Sequence, residues 1–109
     1  MTVKANDCPV ELVFSLLSGK WKISIYRHLY NNESVRYGGL KRHIPSITKK
    51  MLTEQLRELE SDGIIQRKIY DEIPPKVEYS LTEHGRSMIV FLDMMSEWGI
   101  KHIYSETSL

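Results

Sequence analysis

The sequence predicts an α+β fold, mainly α, in a single domain, and three observations carry that expectation. Most of the chain falls into segments with helical apolar spacing and their own start or stop residues. One pair of short segments, within 64–81, alternates apolar and polar residues instead. No repeat or low-complexity linker interrupts the 109 residues, a length that supports one modest core and is small for an enzyme with a deep cleft.

In chain order, the spacing predicts a first helix over 9–19 (PVELVFSLLSG). Pro9 suits the first helical position, Val10, Val13, Phe14 and Leu17 form an apolar face, and Gly19 stops it. A second helix over 20–32 has Trp21, Ile25 and Leu29 in register and ends at Asn31-Asn32. Trp21 reads as a core aromatic, with a stacking role as the alternative. A short extended piece at Ser34 to Arg36 and a brief helix follow, the helix closed by Pro45 because the residue before proline avoids helical angles.

The next segment is amphipathic. Thr48 is a natural N-cap, Leu52, Leu56 and Leu59 recur at i, i+4 and i+7, and Gly63 fits the left-handed position beyond the end. A short helix, a turn and a longer helix make the outline of a helix-turn-helix. The alternating segments 64–71 and 76–81, joined by EIPP, predict a hairpin with Ile65, Val77, Tyr79 and Leu81 toward the core and a stiff, exposed tip. A bare hairpin is marginal in water, so it must pack on the helices. The last helix, over 82–106, starts with Thr82 as N-cap.

This element order is that of a winged helix-turn-helix with a two-stranded wing. Residues 34–81 supply the helix-turn-helix and wing, and the terminal segments 8–32 and 82–106 are expected to serve as dimerisation helices. The last helix carries Met88, Phe91, Leu92, Met95 and Trp98, more apolar surface than one small core needs. With Val10, Val13 and Phe14 of the first helix, these residues are the candidate seam of a homodimer. Folding back onto the chain's own core is the alternative.

Charge distribution is more informative than the net value of +1. Residues 36–76 hold nine basic residues against six acids, and residues 82–109 hold two against four. Between Arg36 and Lys50 stand five basic residues and no acid. That pattern suits a face for a polyanion, although an uneven solvated surface gives the same counts. In a winged helix the second helix of the turn motif enters the major groove with its N-terminal residues leading. Opposite the leucine stripe lie Lys49, Lys50, Thr53, Glu54 and Arg57. Two lysines at a helix start oppose the macrodipole, a misfit of about half a kcal/mol each that phosphates or guanine edges would relieve. The expected DNA contacts sort by reach. Thr48, Lys49, Lys50 and Thr53 face base edges or flanking phosphates; Arg36, Lys41, Arg42 and Ser46 hold backbone phosphates; Lys68 or Arg67, with Lys76, serve from the wing. Arg57 either joins them or pairs with Glu54, Glu58 or Glu60.

Other chemistries find no support in the sequence. Cys8 is the only cysteine, so neither an intramolecular disulfide nor a Cys-based zinc site can form. The four histidines lack metal-ligand spacing, no phosphate loop, nucleophile elbow or zincin motif occurs, and no catalytic residues, cofactor or metal are expected. No apolar run is long enough to span a bilayer, and the first residues lack a signal-peptide core, so the expectation is a cytoplasmic, non-membrane protein. Cys8 precedes Pro9 at the start of the first helix, where unpaired N–H groups favour a thiolate. It is a candidate redox-sensing residue, modified by an electrophile or oxidant; a small buried residue is the alternative.

The motifs also carry a family resemblance. The Cys-Pro start, Gly-Lys-Trp, Ile-Pro-Ser-Ile, MLTEQLRELE and PPKVEYSLT occur in that order, and from Cys8 to about Gly99 the chain resembles the HxlR-type bacterial transcriptional regulators. The resemblance implies a dimeric winged-helix DNA-binding protein whose terminal helices form the dimer. It implies too that some members sense electrophiles or oxidants through the cysteine matching Cys8; a second cysteine as intersubunit partner, used by some, is absent here. The chain departs from the pattern at Gly38-Gly39, where bulkier or acidic residues are common, and at Thr48, where serine is common. The glycines are expected to loosen the short helix. The resulting expectation is a homodimeric repressor reading an inverted-repeat operator in double-stranded DNA. A winged helix used only for protein–protein interaction is the alternative.

Overall fold

Sharp chain reversals divide the helices and set the order of the fold. The structure, a computed structural model, describes residues 6–104. It runs α1 (Pro9–Leu16), α2 (Lys22–Asn31), β1 (Val35–Arg36), α3 (Tyr37–His43), α4 (Lys49–Ser61), β2 (Ile65–Tyr70), β3 (Lys76–Leu81), α5 (Glu83–Arg86), α6 (Ile89–Gly99) and a π-helical turn (Ile100–Tyr104). The first helix ends at Leu16, three residues before its expected stop, and Gly19 takes a left-handed φ of 97° in the reversal that follows. Asn32 closes α2 as expected, its side chain donating to the His28 carbonyl at 2.8 Å.

The hairpin is not alone. β1 pairs antiparallel with β3, giving a three-stranded sheet of order β1-β3-β2. Only two residues of β1 take part, Val35 opposite Tyr79 and Arg36 opposite Glu78, too short a run for alternation to reveal. Gly39 explains the close approach of α3 to this strand. A Cβ there would stand 2.9 Å from Val35 Cγ1, so the residue expected to loosen the helix admits a neighbour.

The core lies where α2, α3, α4 and the base of the sheet meet. Ile25, Tyr26, Leu29, Leu40, Ile47, Leu52, Leu59 and Ile64 are fully buried, with Leu56, Ile65 and Leu81 close behind. Ile64 joins Ile65 inside because the chain leaves α4 through Gly63 at a φ of 76° and enters the sheet only at Ile65. Val77 and Tyr79 are half-buried, and Tyr79 packs against the core.

The C-terminal helix is broken rather than continuous over 82–106; positions 105 and 106 lie outside the described residues. Thr82 caps α5 as expected, accepting from Gly85 N at 2.9 Å, and its hydroxyl also reaches the Gly63 carbonyl at 2.6 Å. Gly85 packs so closely that a Cβ would collide with the Ile64 carbonyl, and its own carbonyl accepts from the buried Tyr26 hydroxyl at 2.6 Å. The Met88 amide then bonds to the Gly85 carbonyl, a three-residue closure that ends α5 and redirects the chain into α6. Met88, assigned to the dimer seam from sequence, is turned inward by this break and is only 5% exposed within its own core.

Candidate nucleic-acid interface and sensor thiol

The helix-turn-helix is built by α3, the turn at 44–48 and α4. Ile44 and Ile47 are buried on either side of exposed Pro45 and Ser46, so apolar anchors fix the turn from below. Lys41 Nζ donates to the Pro45 carbonyl at 3.1 Å, bracing the turn from above. Thr48 is the N-cap, its hydroxyl accepting from Met51 N at 3.0 Å. Leu52, Leu56 and Leu59 are buried, which leaves Lys49 and Lys50 exposed at the leading end with no acid in the first turn. The local misfit with the helix dipole is therefore real and solvent-facing.

Several of the expected contact residues prove to be engaged. Thr53 is half-buried; its hydroxyl lies 3.2 Å from that of Tyr37, which itself donates to the Lys49 carbonyl at 2.9 Å. Tyr37 thus ties the start of α3 to the start of α4. Arg67 pairs with Glu60 at 3.3 Å, and Lys76 pairs with Glu78 at 2.9 Å. Glu58 is taken by Lys22 at 2.8 Å, so two of the three acids offered to Arg57 have other partners. Arg57 is exposed and joins no ion pair among the described residues, as is true of Arg36, Arg42, Lys49, Lys50 and Lys68. The wing tip adds a feature that works against phosphate: Asp71 and Glu72 sit beside fully exposed Ile73.

The Lys22–Glu58 pair was not legible in the sequence. Lys22 is buried although its neighbour Ile23 is exposed, because the inward register of α2 runs Lys22, Ile25, Tyr26, Leu29. Trp21, expected in that register, is the half-buried N-cap residue; it packs on the core with the Lys20 ammonium 4.7 Å from its ring centre. Also missed was a stacked imidazole pair, His28 and His43, with ring centres 3.9 Å apart at the α2–α3 contact. Burial, and secondarily the neighbouring imidazole, pushes His28 below its ordinary value.

Outside the helix-turn-helix, Cys8 is exposed at the N-cap position of α1, and its side chain makes no capping hydrogen bond. Within its own chain, then, this thiol is not the small buried residue of the alternative reading. α1 and α6 contain no buried residue at all. Val10, Val13, Phe14, Met95 and Trp98 are exposed, Phe14 by 55% and Trp98 by 60%, while Phe91 and Leu92 lean on the core. Between α1, Ile23 and α6 runs an apolar groove of about 590 Å³ lined by Val13, Phe14, Phe91, Leu92 and Met95 among others. No described helix is long and apolar enough to cross a membrane.

Residues 16–107 match the HxlR-like helix-turn-helix family, to which the chain belongs. It is 50% identical over 103 residues to the HTH-type transcriptional regulator YtcD of Bacillus subtilis (strain 168), covering 94% of this chain and 81% of YtcD. The crystal structure of YtcD superposes with a TM-score of 0.83 over 90% of this chain and 99% of that one. The redox regulator HypR in its oxidised form is 47% identical, with a TM-score of 0.78 over 87% of this chain and 97% of HypR. Quinone-bound YodB from B. subtilis is 33% identical, with a TM-score of 0.76 over 87% of this chain and 99% of YodB. The protein is a transcriptional regulator of the helix-turn-helix type, and the winged-helix fold read from its sequence holds.

Proposed function

We propose that the protein is a homodimeric, sequence-specific DNA-binding repressor that reads an inverted repeat and responds to electrophiles or oxidants through Cys8. The observation that carries the DNA reading is the leading end of α4, where Lys49 and Lys50 stand exposed in a first turn without an acid. Thr48, Lys49 and Lys50 address base edges and nearby phosphates in the major groove, with Arg57 further along the same helix. Thr53 contributes from a half-buried position, its hydroxyl held at Tyr37. Arg36, Arg42 and Ser46 hold the backbone on one side and Lys68 does so from the wing; Lys41 acts mainly through the turn it braces.

The dimer reading rests on α1 and α6, whose exposed Val10, Val13, Phe14, Met95 and Trp98 form an apolar face. A second copy covering it would hold two reading heads at fixed spacing, which an inverted repeat requires. Cys8 directly precedes Pro9, which lines the groove between these helices. Addition of its sulfur to a quinone, or loss of two protons and two electrons from a Cys8–Cys8 pair to an oxidant, would alter the packing of α1 and hence the spacing of the heads. HypR and YodB, as a redox regulator and a quinone-binding relative, support this part of the reading.

The test is a salt titration of binding to promoter fragments flanking the gene. Lys49 and Lys50 replaced together by Ala are expected to abolish binding with the thermal midpoint nearly unchanged. A quinone is expected to weaken binding of the native protein and leave Cys8→Ser unaffected. No salt-sensitive binding to any fragment would sink the DNA reading, and equal responses of the two proteins to quinone would remove Cys8 from the mechanism.

A further inference from the structure

The outer face of the sheet carries a network that the DNA contacts do not explain. Arg36, Glu78 and Lys68 stand directly opposite one another across β1, β3 and β2, and so share one face. Glu78, in the middle, does not simply sit between two cations. Its Oε2 accepts from Ser34 Oγ at 3.0 Å and from the Tyr70 hydroxyl at 3.1 Å, while Oε1 pairs with Lys76 Nζ at 2.9 Å. Two ammonium groups approach the Tyr70 ring, Lys68 at 4.8 Å and Lys76 at 4.7 Å from its centre. The side chain of Glu78 is only 18% exposed, although a polar residue in an alternating strand on the outer face would ordinarily be solvated. The Lys76 hydrogen bond above all, with those from Ser34 and Tyr70, holds its carboxyl below the ordinary value.

These partners come from every strand of the sheet. Ser34 leads into β1, Tyr70 ends β2, and Lys76 begins β3 at the base of the wing tip. β1 in turn runs directly into Tyr37, whose hydroxyl reaches the Lys49 carbonyl and Thr53 at the start of α4. An unbroken chain of contacts therefore links the wing to the leading end of the reading helix. The backbone ladder between β1 and the hairpin is only two residues long, and Val35 and Tyr79 pack beside it on the core.

We propose that Glu78 is the positioning residue of the wing: it braces the hairpin against β1 and thereby sets where Arg36 and Lys68 stand relative to Lys49 and Lys50. Lys76 is then a structural cation, its charge satisfied inside the wing, and not the phosphate contact its sequence position suggests. This role deepens the DNA-binding reading above and rests on it.

Charge alone and positioning predict opposite signs for one substitution. Glu78→Gln removes an acid from a DNA-facing sheet, so a purely electrostatic role would tighten binding. Positioning predicts roughly tenfold weaker binding, the scale of losing charge-assisted hydrogen bonds. The probe is a duplex that the wild-type protein selects from a random-sequence pool, titrated against salt, with amide exchange of residues 70–78 followed in the free protein. Glu78→Gln is expected to weaken binding and speed exchange in the wing while exchange in α4 stays as it was. Lys76→Gln is expected to weaken binding without changing the slope of log K against log salt. A slope reduced by about 0.9 would make Lys76 a phosphate contact and overturn the assignment, as would binding by Glu78→Gln equal to or tighter than wild type. Should Glu78→Gln not fold, Tyr70→Phe removes one arm of the brace and is expected to lose about threefold in affinity; unchanged affinity overturns the role. If the wild-type protein selects no duplex, the DNA reading is what fails. The brace is then judged by wing exchange alone, and exchange unchanged in Glu78→Gln overturns it.

Discussion

Helices α4 and α6 are of similar length, 13 and 11 residues, and both carry ample apolar side chains, yet they are buried to very different degrees, α6 only leaning on the core through Ile89, Phe91 and Leu92. α4 buries Leu52, Leu56 and Leu59 against its own chain, whereas α6 buries none of its residues. The difference teaches where the single chain is finished. The helix-turn-helix and the base of the sheet form a closed core, and the apolar side of α1 and α6 faces outward around its groove. One half of the molecule is held by what it touches; the other shows a surface of the kind that a partner covers.

The largest effect separates these halves directly. Leu59→Ala, at a fully buried position, is expected to lower unfolding free energy by about 2–5 kcal/mol in urea titrations, through lost transfer and a residual cavity. Trp98→Asp, at a site 60% exposed, is expected to leave the circular dichroism spectrum intact while the proposed dimer gives way to a sedimenting monomer. A Trp98→Asp protein that still sediments as wild type would break the contrast, because α6 would then not be the surface that joins two copies. A thermal midpoint that rises with protein concentration in the wild type and not in Trp98→Asp would sharpen it.

A smaller effect probes the tie between α2 and α4. Lys22 is buried and Glu58 is half exposed, so the pair is asymmetric. Lys22→Met removes the buried charge and keeps the apolar stem, with an expected cost below about 1 kcal/mol. Glu58→Ala leaves the ammonium buried and unpaired, and is expected to cost about 1–3 kcal/mol, less than a fully enclosed pair because water reaches the carboxylate side. The two unfolding curves measure the difference; equal costs would mean that the pair contributes as attraction and not as compensation of a buried charge.

The sequence made most of this fold legible because its signals are local. Thr48 and Thr82 cap the helices expected of them, the leucine stripe of α4 faces inward, and Gly63 takes its left-handed φ. What it concealed depends on pairs distant along the chain. Glu78 and Ser34 are 44 residues apart, and in KVEYS the carboxylate reads as an ordinary outward residue. Lys22 reads as solvent-facing beside Ile23 until the inward register of α2 is known. Met88 reads as part of a continuous terminal helix; only the close contact of Gly85 with Ile64, which no periodicity encodes, turns it into the core. At the candidate site the same division holds. The exposed lysines of α4 follow from the stripe, but the engagement of Lys76, Lys41 and Thr53 appears only once the chain is folded.

The smallest effect is a dependence on pH confined to the closed half. His28 stacks on His43 where α2 meets α3, and burial, more than the second imidazole, holds its proton affinity below the ordinary value of 6.5. The unfolded chain therefore binds a proton more readily than the folded one. The contribution is fully present above about pH 6.5 and is lost as pH falls toward the lowered folded value. Wild-type unfolding free energy is expected to decline between pH 7.5 and 5.5, and His28→Gln is expected to flatten that decline, since its side chain does not titrate. A decline of equal slope in His28→Gln would assign it to other groups. The same titration also tests the contrast between the two halves, because the stacked pair lies at the α2–α3 contact and belongs to neither α1 nor α6. Sedimentation over the pH range in which stability falls should therefore stay that of the neutral protein. Dissociation that tracks the protonation of His28 would mean that the closed core and the open face respond as one unit.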